Sequence, residues 1–318
     1  MRSLLMTVCW FFGSIVLAGL ILRWWIGDHL FLVRYIGYLM PWLLLVLLPG
    51  TLWAALMHCR GLAILLGISV IIIVTAYAPF FWFRDTAADN VTNSFKVLSY
   101  NTWSKNFEIN RIADVIKEQK PDILLLQEIT PRIFESLKAG LKDLYSPGKA
   151  YFSYDPEMLL AVVSRFPAEP GTVTKGSGRV QKVTLHSPVG PITVFNVHIL
   201  RRGGWQSRYR KINRLLKQDL IHETGPVILG GDFNIPDQSE TYRYITRYLA
   251  NTHREAGFGF GFSFPACPVK LFGLIPIPSL VRIDHIFINE HFETLQAGTI
   301  KDSGGSDHFP VMAVLDLK

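Results

Sequence analysis

Charge is nearly absent from the first quarter of this chain. Residues 1–83 contain four arginines and one aspartate, with no lysine and no glutamate, while residues 84–318 carry the other 28 basic and 24 acidic side chains. A helix that crosses the ~30 Å of a bilayer's hydrocarbon needs about 20 mainly apolar residues. Three stretches reach that length, residues 4–22, 36–57 and 62–83. Arg23, Trp24 and Trp25 close the first with a cationic and aromatic belt, residues 58–60 separate the second from the third, and Trp82 and Arg84 end the last. Pro41 lies inside the second and is expected to kink it, which membrane helices tolerate. The pattern predicts a membrane anchor of three transmembrane helices over residues 1–84, a polar linker over 85–94 and a water-soluble domain over 95–318. A cleaved signal peptide is the weaker reading, because residues 4–22 are long for an h-region and two more apolar stretches follow. Three spans put the N-terminus and the domain on opposite faces. Arg2 and Arg60 then oppose Arg23, Arg34 and Arg84, a near balance, and the short N-terminus with Arg2 tilts the domain toward the extracytoplasmic face.

The net charge of +7 invites a nucleic-acid reading. Nearly half of that excess, however, lies beside the apolar stretches, where it serves topology or anionic lipid equally well. Of the three cysteines only Cys267 falls in the soluble part, so no disulfide forms within it and the redox compartment stays open. These features exclude a wholly soluble enzyme, a disordered chain, a disulfide scaffold and a transporter filling the whole length.

Past the linker the hydrophobic pattern alternates. Residues 95–100, 123–127, 159–163, 182–185, 192–197, 227–229, 283–288 and 311–315 read as strands. Ile109, Ile112, Val115 and Ile116 fall at helical spacing, and 205–222 and 239–249 read as helices. Strands with interspersed helices predict α/β layering. Polar residues stand where the strands end: Asn101 after VLSY, Glu128 after LLLQ, His198 after TVFNV, and Asp232 and Asn234 after VILGG. Asp284 opens IDHIFI, and Asp307 and His308 precede PVMAVL. A single carboxylate after a strand is ordinarily a cap or turn residue, but six such ends together mark a site. No Cys/His cluster has zinc spacing, and no G-x-S-x-G elbow or Walker loop is present.

The set NTW, LLLQE, SRFP, NVH, GGDFN, RIDHIF and SDHFPV resembles the endonuclease/exonuclease/phosphatase superfamily, the fold of DNase I and exonuclease III. The resemblance covers residues 95–318 and implies a two-sheet α/β sandwich with the site at one end of the sheets. It implies a metal-dependent phosphoric ester hydrolase using Mg²⁺ or Mn²⁺, without naming the substrate. Carried over residue by residue, Glu128 matches the principal metal ligand, with Asn101 and Asp307 beside it. His308 matches the catalytic histidine, paired with Asp284. Asp232 and Asn234 match the pair that orients water and touches phosphate, and His198 matches a second histidine donating to phosphate. His285, out of phase with Asp284, reads as structural.

Two further segments bear on the substrate. Residues 201–217 pack seven basic residues with no acid directly after His198, which makes Arg201 and Arg202 candidate guides for phosphate-rich substrate or lipid headgroups; a solvated helix face is the plain alternative. Residues 257–280 hold five phenylalanines, four prolines and one charge, so they either dip into a bilayer, stack on bases or pack against the protein. Ser263, where the family commonly keeps a Thr-Trp pair, is a candidate substrate contact. The expected partners are the lipid bilayer and a phosphate ester, lipid or nucleic acid, with no obligate protein partner. The function expected is a membrane-anchored phosphodiesterase acting on a lipid-linked or small phosphodiester. The alternatives are a membrane-tethered nuclease and a catalytically inactive binding module.

Overall fold

A computed structural model describes residues 2–82, 93–141, 144, 150–174, 176–266 and 270–318. Residues 85–92 of the expected linker, with Arg84 and Cys267, lie outside the described residues. The chain divides into two compact units, Met1–Trp82 with Pro236–Arg243, and Phe83–Ile235 with Tyr244–Lys318.

The first unit is helical: α1 (Arg2–Ile26), α2 (Phe31–Tyr38), α3 (Met40–Leu56), α4 (Arg60–Tyr77) and a 3₁₀ turn, Ala78–Phe81. Leu4–Ile26 and Arg60–Phe81 are each long and apolar enough to cross a membrane. The second expected span is not one straight helix. It breaks at Leu39, and α2 and α3 meet at 82°, so the described residues hold two such helices, or three spans if the bent pair is one. Pro41 explains the break, because it has no N–H to continue the hydrogen-bond ladder to Gly37. It therefore stands in the first turn of α3, where proline is tolerated, and the proline inside that helix is Pro49. Leu20, Leu47, Leu62 and Ile73 are buried between helices, whereas Leu4, Phe11, Leu45 and Ile64 leave an apolar exterior. In the same unit Asp28 and Glu240 cap one another. The Glu240 N–H donates to Asp28 Oδ2 at 3.0 Å and the Asp28 N–H donates to Glu240 Oε2 at 3.2 Å.

The second unit is an α/β sandwich of two mixed sheets. Its strands, in chain order, are β1 (Ser94–Asn101), β2 (Ile123–Gln127), β3 (Tyr151–Asp155), β4 (Leu160–Ser164), β5 (Thr172–Val173), β6 (Arg179–Ser187), β7 (Gly190–His198) and β8 (Val227–Asp232). They continue with β9 (Ala250–Asn251), β10 (Lys270–Leu271), β11 (Ile275–Pro276), β12 (Asp284–Ile288), β13 (Phe292–Thr299) and β14 (Val311–Leu317). One six-stranded sheet runs β13-β14-β1-β2-β4-β3 and the other β5-β6-β7-β8-β12-β9, with β10 and β11 as a separate hairpin. Alternation builds the core: Val97, Ile123, Leu125 and Ala313 on one sheet meet Val183, Ile192, Val194, Ile228 and Ile286 on the other. Each valine, leucine or isoleucine among them, taken fully from water, contributes roughly 1.5–3 kcal/mol. The opposite face of the first sheet, Leu98, Leu124 and Leu126, is covered by α5 (Ile109–Gln119) and α6 (Pro131–Gly140) through Ile112, Ile116, Ile133 and Leu137.

The helix expected over 205–222 is α7 (Gly204–Arg214) followed by a π turn, Leu215–Asp219, and a 3₁₀ turn, Leu220–His222. Two glycines meet close neighbours, one across the sheets and one within a sheet. A Cβ on Gly230 would lie 2.5 Å from Leu125 Cδ1 of the opposite sheet. One on Gly231, at φ +147°, would lie 1.9 Å from the Val197 carbonyl oxygen on β7. The GG of GGDFN is therefore a packing requirement of the strand that delivers Asp232.

Candidate active site

The same alternation that fills the core sets which polar residues meet. Along β1 the inward row is Phe95, Val97, Ser99 and then Asn101; along β7 it is Ile192, Val194, Asn196 and then His198. On β8 Asp232 follows Ile228 and Gly230, and β12 opens on Asp284 before Ile286 and Ile288. One rung before these ends, Gln127 Nε2 donates to Asn196 Oδ1 at 2.8 Å and to Ser99 Oγ at 3.3 Å. Asn196 Nδ2 in turn donates to the Leu126 and Ala161 carbonyls, each at 3.0 Å. This buried polar rung ties the sheets together and forms the floor of the site.

Glu128 departs from alternation. With Gln127 facing inward, an extended Glu128 would point to the outer face, but its φ of +56° turns the chain and brings the carboxylate back. The Ser104 N–H and hydroxyl then both donate to Glu128 Oε2 at 2.9 Å. Trp103 and Asn234 also adopt positive φ, +58° and +50°. Such backbones cost of order 1–3 kcal/mol each in non-glycine residues, and here three of them surround one cluster.

Within that cluster, Asn101 Nδ2 donates to Asp232 Oδ2 at 3.1 Å and to Glu128 Oε1 at 3.4 Å, while its Oδ1 accepts from the Trp103 N–H at 3.0 Å. The Asn234 N–H and side-chain amide bind the two oxygens of Asp232 at 2.8 and 2.9 Å. His198 Nε2 stands 3.7 Å from both Glu128 Oε1 and Asp232 Oδ2. His308 Nδ1 donates to Asp284 Oδ2 at 2.9 Å, and its Nε2 stands 3.9 Å from Asp232 Oδ2.

The two histidines are driven apart. Burial would lower the His308 pKa, but the Asp284 and Asp232 carboxylates and the Asp284 hydrogen bond hold it up, at about 10. His198 is pushed down to about 4, by burial first and then by Arg179 and His308 against the pull of Glu128. At neutral pH one ring is an imidazolium and the other is neutral. The carboxylates differ too. Burial raises Asp232 to about 7. Burial also works against the charge of Glu128, but Ser104, His198 and Asn101 outweigh it and hold that carboxyl below its usual range.

Asp232, Asp284 and His308 lie close enough together for one ion, all within 4.8 Å. An imidazolium has no lone pair to offer, however, and Asp284 is spent on holding it. The oxygen donors left over are Glu128, Asp232 and Asp307. Asp307 Oδ1 is buried without a hydrogen-bond partner, and burial raises its carboxyl. Glu128 and the orphaned Asp307 acceptor, with no arginine or lysine paired to either among the described residues, are oxygen donors of the kind a hard divalent cation takes. Asn101 presents its amide nitrogen to this group; as a ligand it would turn its oxygen there instead.

The remaining expected residues are placed differently. Ser263 is fully buried, and its hydroxyl accepts from the Ile283 and Asp284 N–H groups at 3.2 Å each, so it supports Asp284 from behind. Arg201 is exposed and lies over the Phe264 ring at 5.6 Å, and that ring is 4.8 Å from the His308 ring. Arg202 is exposed on the same turn. His285 faces away from the cluster, with Nε2 2.9 Å from the Ile235 carbonyl and its ring against Phe233 and Phe287. Sequence reasoning missed Arg179, which pairs in register with His198 and acts on its charge. Its signal was available: counting back along both strands from the two-residue turn at 188–189 sets Arg179 opposite His198. Ser104 and Ser306 were also missed; the Ser306 hydroxyl donates to the Asn101 carbonyl at 2.7 Å and accepts from the His308 N–H at 3.1 Å.

Solved structures share this fold at low identity. An endonuclease/exonuclease/phosphatase from Bacteroides vulgatus matches over 71% of this chain and 100% of its own, with 18% identity and a TM-score of 0.56. The truncated TDP2 of Caenorhabditis elegans matches over 70% and 98%, with 20% identity and a TM-score of 0.53. A Bacteroides thetaiotaomicron mannosyl-6-phosphatase matches over 70% and 99%, with 18% identity and a TM-score of 0.54. No protein of curated function matches the chain. Residues 98–308, which span the polar cluster from Asn101 to His308, match the model of the Endonuclease/Exonuclease/phosphatase family, and the chain belongs to that family.

Proposed function

We propose that this protein is a membrane-anchored phosphoesterase, dependent on Mg²⁺ or Mn²⁺, that hydrolyses a lipid-linked or small phosphodiester. The observation that carries the reading is His308, held by Asp284 at 2.9 Å and standing 3.9 Å from Asp232, beside carboxylates that have no arginine or lysine paired to them among the described residues. Glu128 and Asp307, with Asn101, would hold the ion, which when bound would draw charge from the phosphate oxygens. The His308 imidazolium, fixed through Nδ1 by Asp284, offers its Nε2–H to a phosphate oxygen as charge builds there. Asp232, with its carboxyl pushed up to about 7, takes a proton from the attacking water, and Asn234 orients that carboxylate. Water supplies a hydroxyl to phosphorus and, in the end, a proton to the leaving alcohol. Neutral His198 adds a donor on the Glu128 side, and Arg201 waits at the rim.

The anchor supports a substrate at the bilayer: two or three apolar helices precede the domain, and only ten residues, 83–92, separate Trp82 from Asn93. Extended, ten residues span at most ~35 Å. A nuclease is the second reading, favoured by Arg201 above Phe264 and by the basic residues of α7. An inactive binding module is disfavoured by the intact polar set. The deciding experiment incubates the full chain in phospholipid nanodiscs of several headgroup classes, and separately with supercoiled plasmid, each with Mg²⁺ and beside His308→Gln. EDTA-sensitive headgroup release by the wild type alone supports the proposal. Plasmid nicking without headgroup release replaces it with the nuclease, and inactivity on both overturns it.

A further inference from the structure

The hairpin of β10 and β11 has no counterpart in the chemistry above. Its two strands are two residues each, Lys270–Leu271 paired with Ile275–Pro276, and a hairpin that short is marginal in water by itself. Its tip is apolar and uncovered: Phe272 is 86% exposed, Leu274 81% and Ile275 60%. Among the described residues these first two exceed every exposed large hydrophobic of the helical unit. Ser263 and Ala266 of the same apolar segment are packed into the protein, whereas Phe272 and Leu274 stand in solvent.

The hairpin is also firmly rooted. Phe264 and Val281 form an antiparallel bridge below it, the Leu280 and Val281 N–H groups donate to the Phe264 carbonyl at 2.8 and 3.0 Å, and the Ser279 hydroxyl donates to the Pro265 carbonyl at 2.8 Å. The Ala266 N–H reaches the Asp307 carbonyl at 2.7 Å and the Phe309 N–H reaches the Ser263 carbonyl at 2.8 Å. One stem therefore carries the greasy tip at one end and, at the other, touches Asp284, Asp307 and the ring beside His308.

We infer that Phe272, Leu274 and Ile275 insert into the interfacial layer of the bilayer, with Lys270 at the hairpin base facing lipid phosphate, so that the site works on an ester held in that bilayer. A lipid surface is the occupant the chain itself argues for. The domain follows two or three candidate spans on a ten-residue tether, and an apolar tip with a basic base is the pattern of a segment that enters headgroups and upper acyl chains. The inference rests on the reading of those helices as a membrane anchor.

The test uses the full chain, its three native cysteines replaced by alanine, with Leu274→Cys carrying an environment-sensitive fluorophore and Val189→Cys, on the exposed turn between β6 and β7, as the control. In phosphatidylcholine nanodiscs doped with a spin-labelled phosphatidylcholine, the label at 274 is expected to shift to the blue and lose emission to the lipid quencher, while the label at 189 answers only to aqueous iodide. A label at 274 quenched by iodide like the control overturns the inference. So does one shielded from both quenchers, which assigns the tip to a second copy or another protein. Release of the wild type from vesicles by alkaline wash overturns the anchor reading, and this inference with it, independently of any turnover. In the double variant Phe272→Ser/Leu274→Ser, hydrolysis of the bilayer-held ester is expected to fall on the order of tenfold or more, with a short-chain soluble analogue cleaved as before. Equal loss on both overturns the link between tip and substrate.

Discussion

In each six-stranded sheet the third and fourth strands are the parallel pair, β1 with β2 and β7 with β8, and the ends of those pairs supply Asn101 and Glu128 on one side and His198 and Asp232 on the other. Each sheet adds an antiparallel strand whose start completes the set, β14 just after His308 and β12 at Asp284. The plans match, yet the carboxylates they deliver do not. Glu128 arrives one residue past its strand through a left-handed turn, with 24% of its side chain exposed and two Ser104 donors on one oxygen. Asp232 arrives inside its strand, 1% exposed. The Ser104, His198 and Asn101 contacts hold one acid ionised and full burial raises the other to about 7, so the two surroundings separate a carboxylate suited to holding an ion from one suited to exchanging protons.

If Asp232 and Asp284 of the second sheet, with His308 just before β14 of the first, supply the proton chemistry, His308→Gln is the largest lesion. Turnover is expected to fall on the order of 10²–10⁴-fold, with the far-ultraviolet circular dichroism unchanged. If the first sheet supplies ion binding, Glu128→Gln should act on metal dependence instead. The Mg²⁺ concentration for half-maximal activity, or for half-maximal quenching by Mn²⁺, is expected to rise on the order of 10- to 100-fold. A large drop in turnover at saturating Mg²⁺ would collapse the distinction between the sheets. Asn196→Ala removes the buried rung that ties the sheets and leaves the Leu126 and Ala161 carbonyls without their donor. A loss of about 1–3 kcal/mol in urea unfolding is expected.

The smallest effect is in acid. His253, on the short helix Thr252–Ala256 beside the second sheet, is pushed down from 6.5 to about 3, by burial first and then by Arg282 and Lys301. Below pH 6.5 the unfolded chain binds a proton that the folded one refuses. Stability therefore falls as pH drops through 6.5 toward about 3 and is intact above 6.5. His285 on β12 shifts in the same direction. Hydrogen exchange on acidification is expected to open β9 and β12 before β1 and β2, and His253→Asn should flatten part of that slope.

Much of this was legible in the sequence because strand alternation is local. It placed Asn101, His198, Asp232 and Asp284 at strand ends, and those ends do meet. It could not show why Glu128 faces the site, since strict alternation sends it outward and only the +56° φ returns it. The α6 helix escaped because its apolar spacing is short, although Thr130 before Pro131 is a helix-start signal and does cap the Ile133 N–H. β13 escaped because a register shift between Thr294 and Gln296 breaks its period of two. Ser263 looked like a substrate contact from its place in the motif order, and only the fold shows its hydroxyl turned to the Asp284 backbone. The second span bends at Pro41 as the proline leads one to expect, but a hydropathy window does not register that the bend is a break between two helices meeting at 82°.

Gly231 carries no charge, touches no phosphate and would be passed over in any search for catalytic side chains. Yet a methyl group there would sit 1.9 Å from the Val197 carbonyl oxygen, between the strands that end in His198 and Asp232. In a saturation scan of this chain that position is expected to tolerate as little as His308 does. Neither an added cation nor a restored proton donor would rescue its variants, because what they lose is the spacing of two strands.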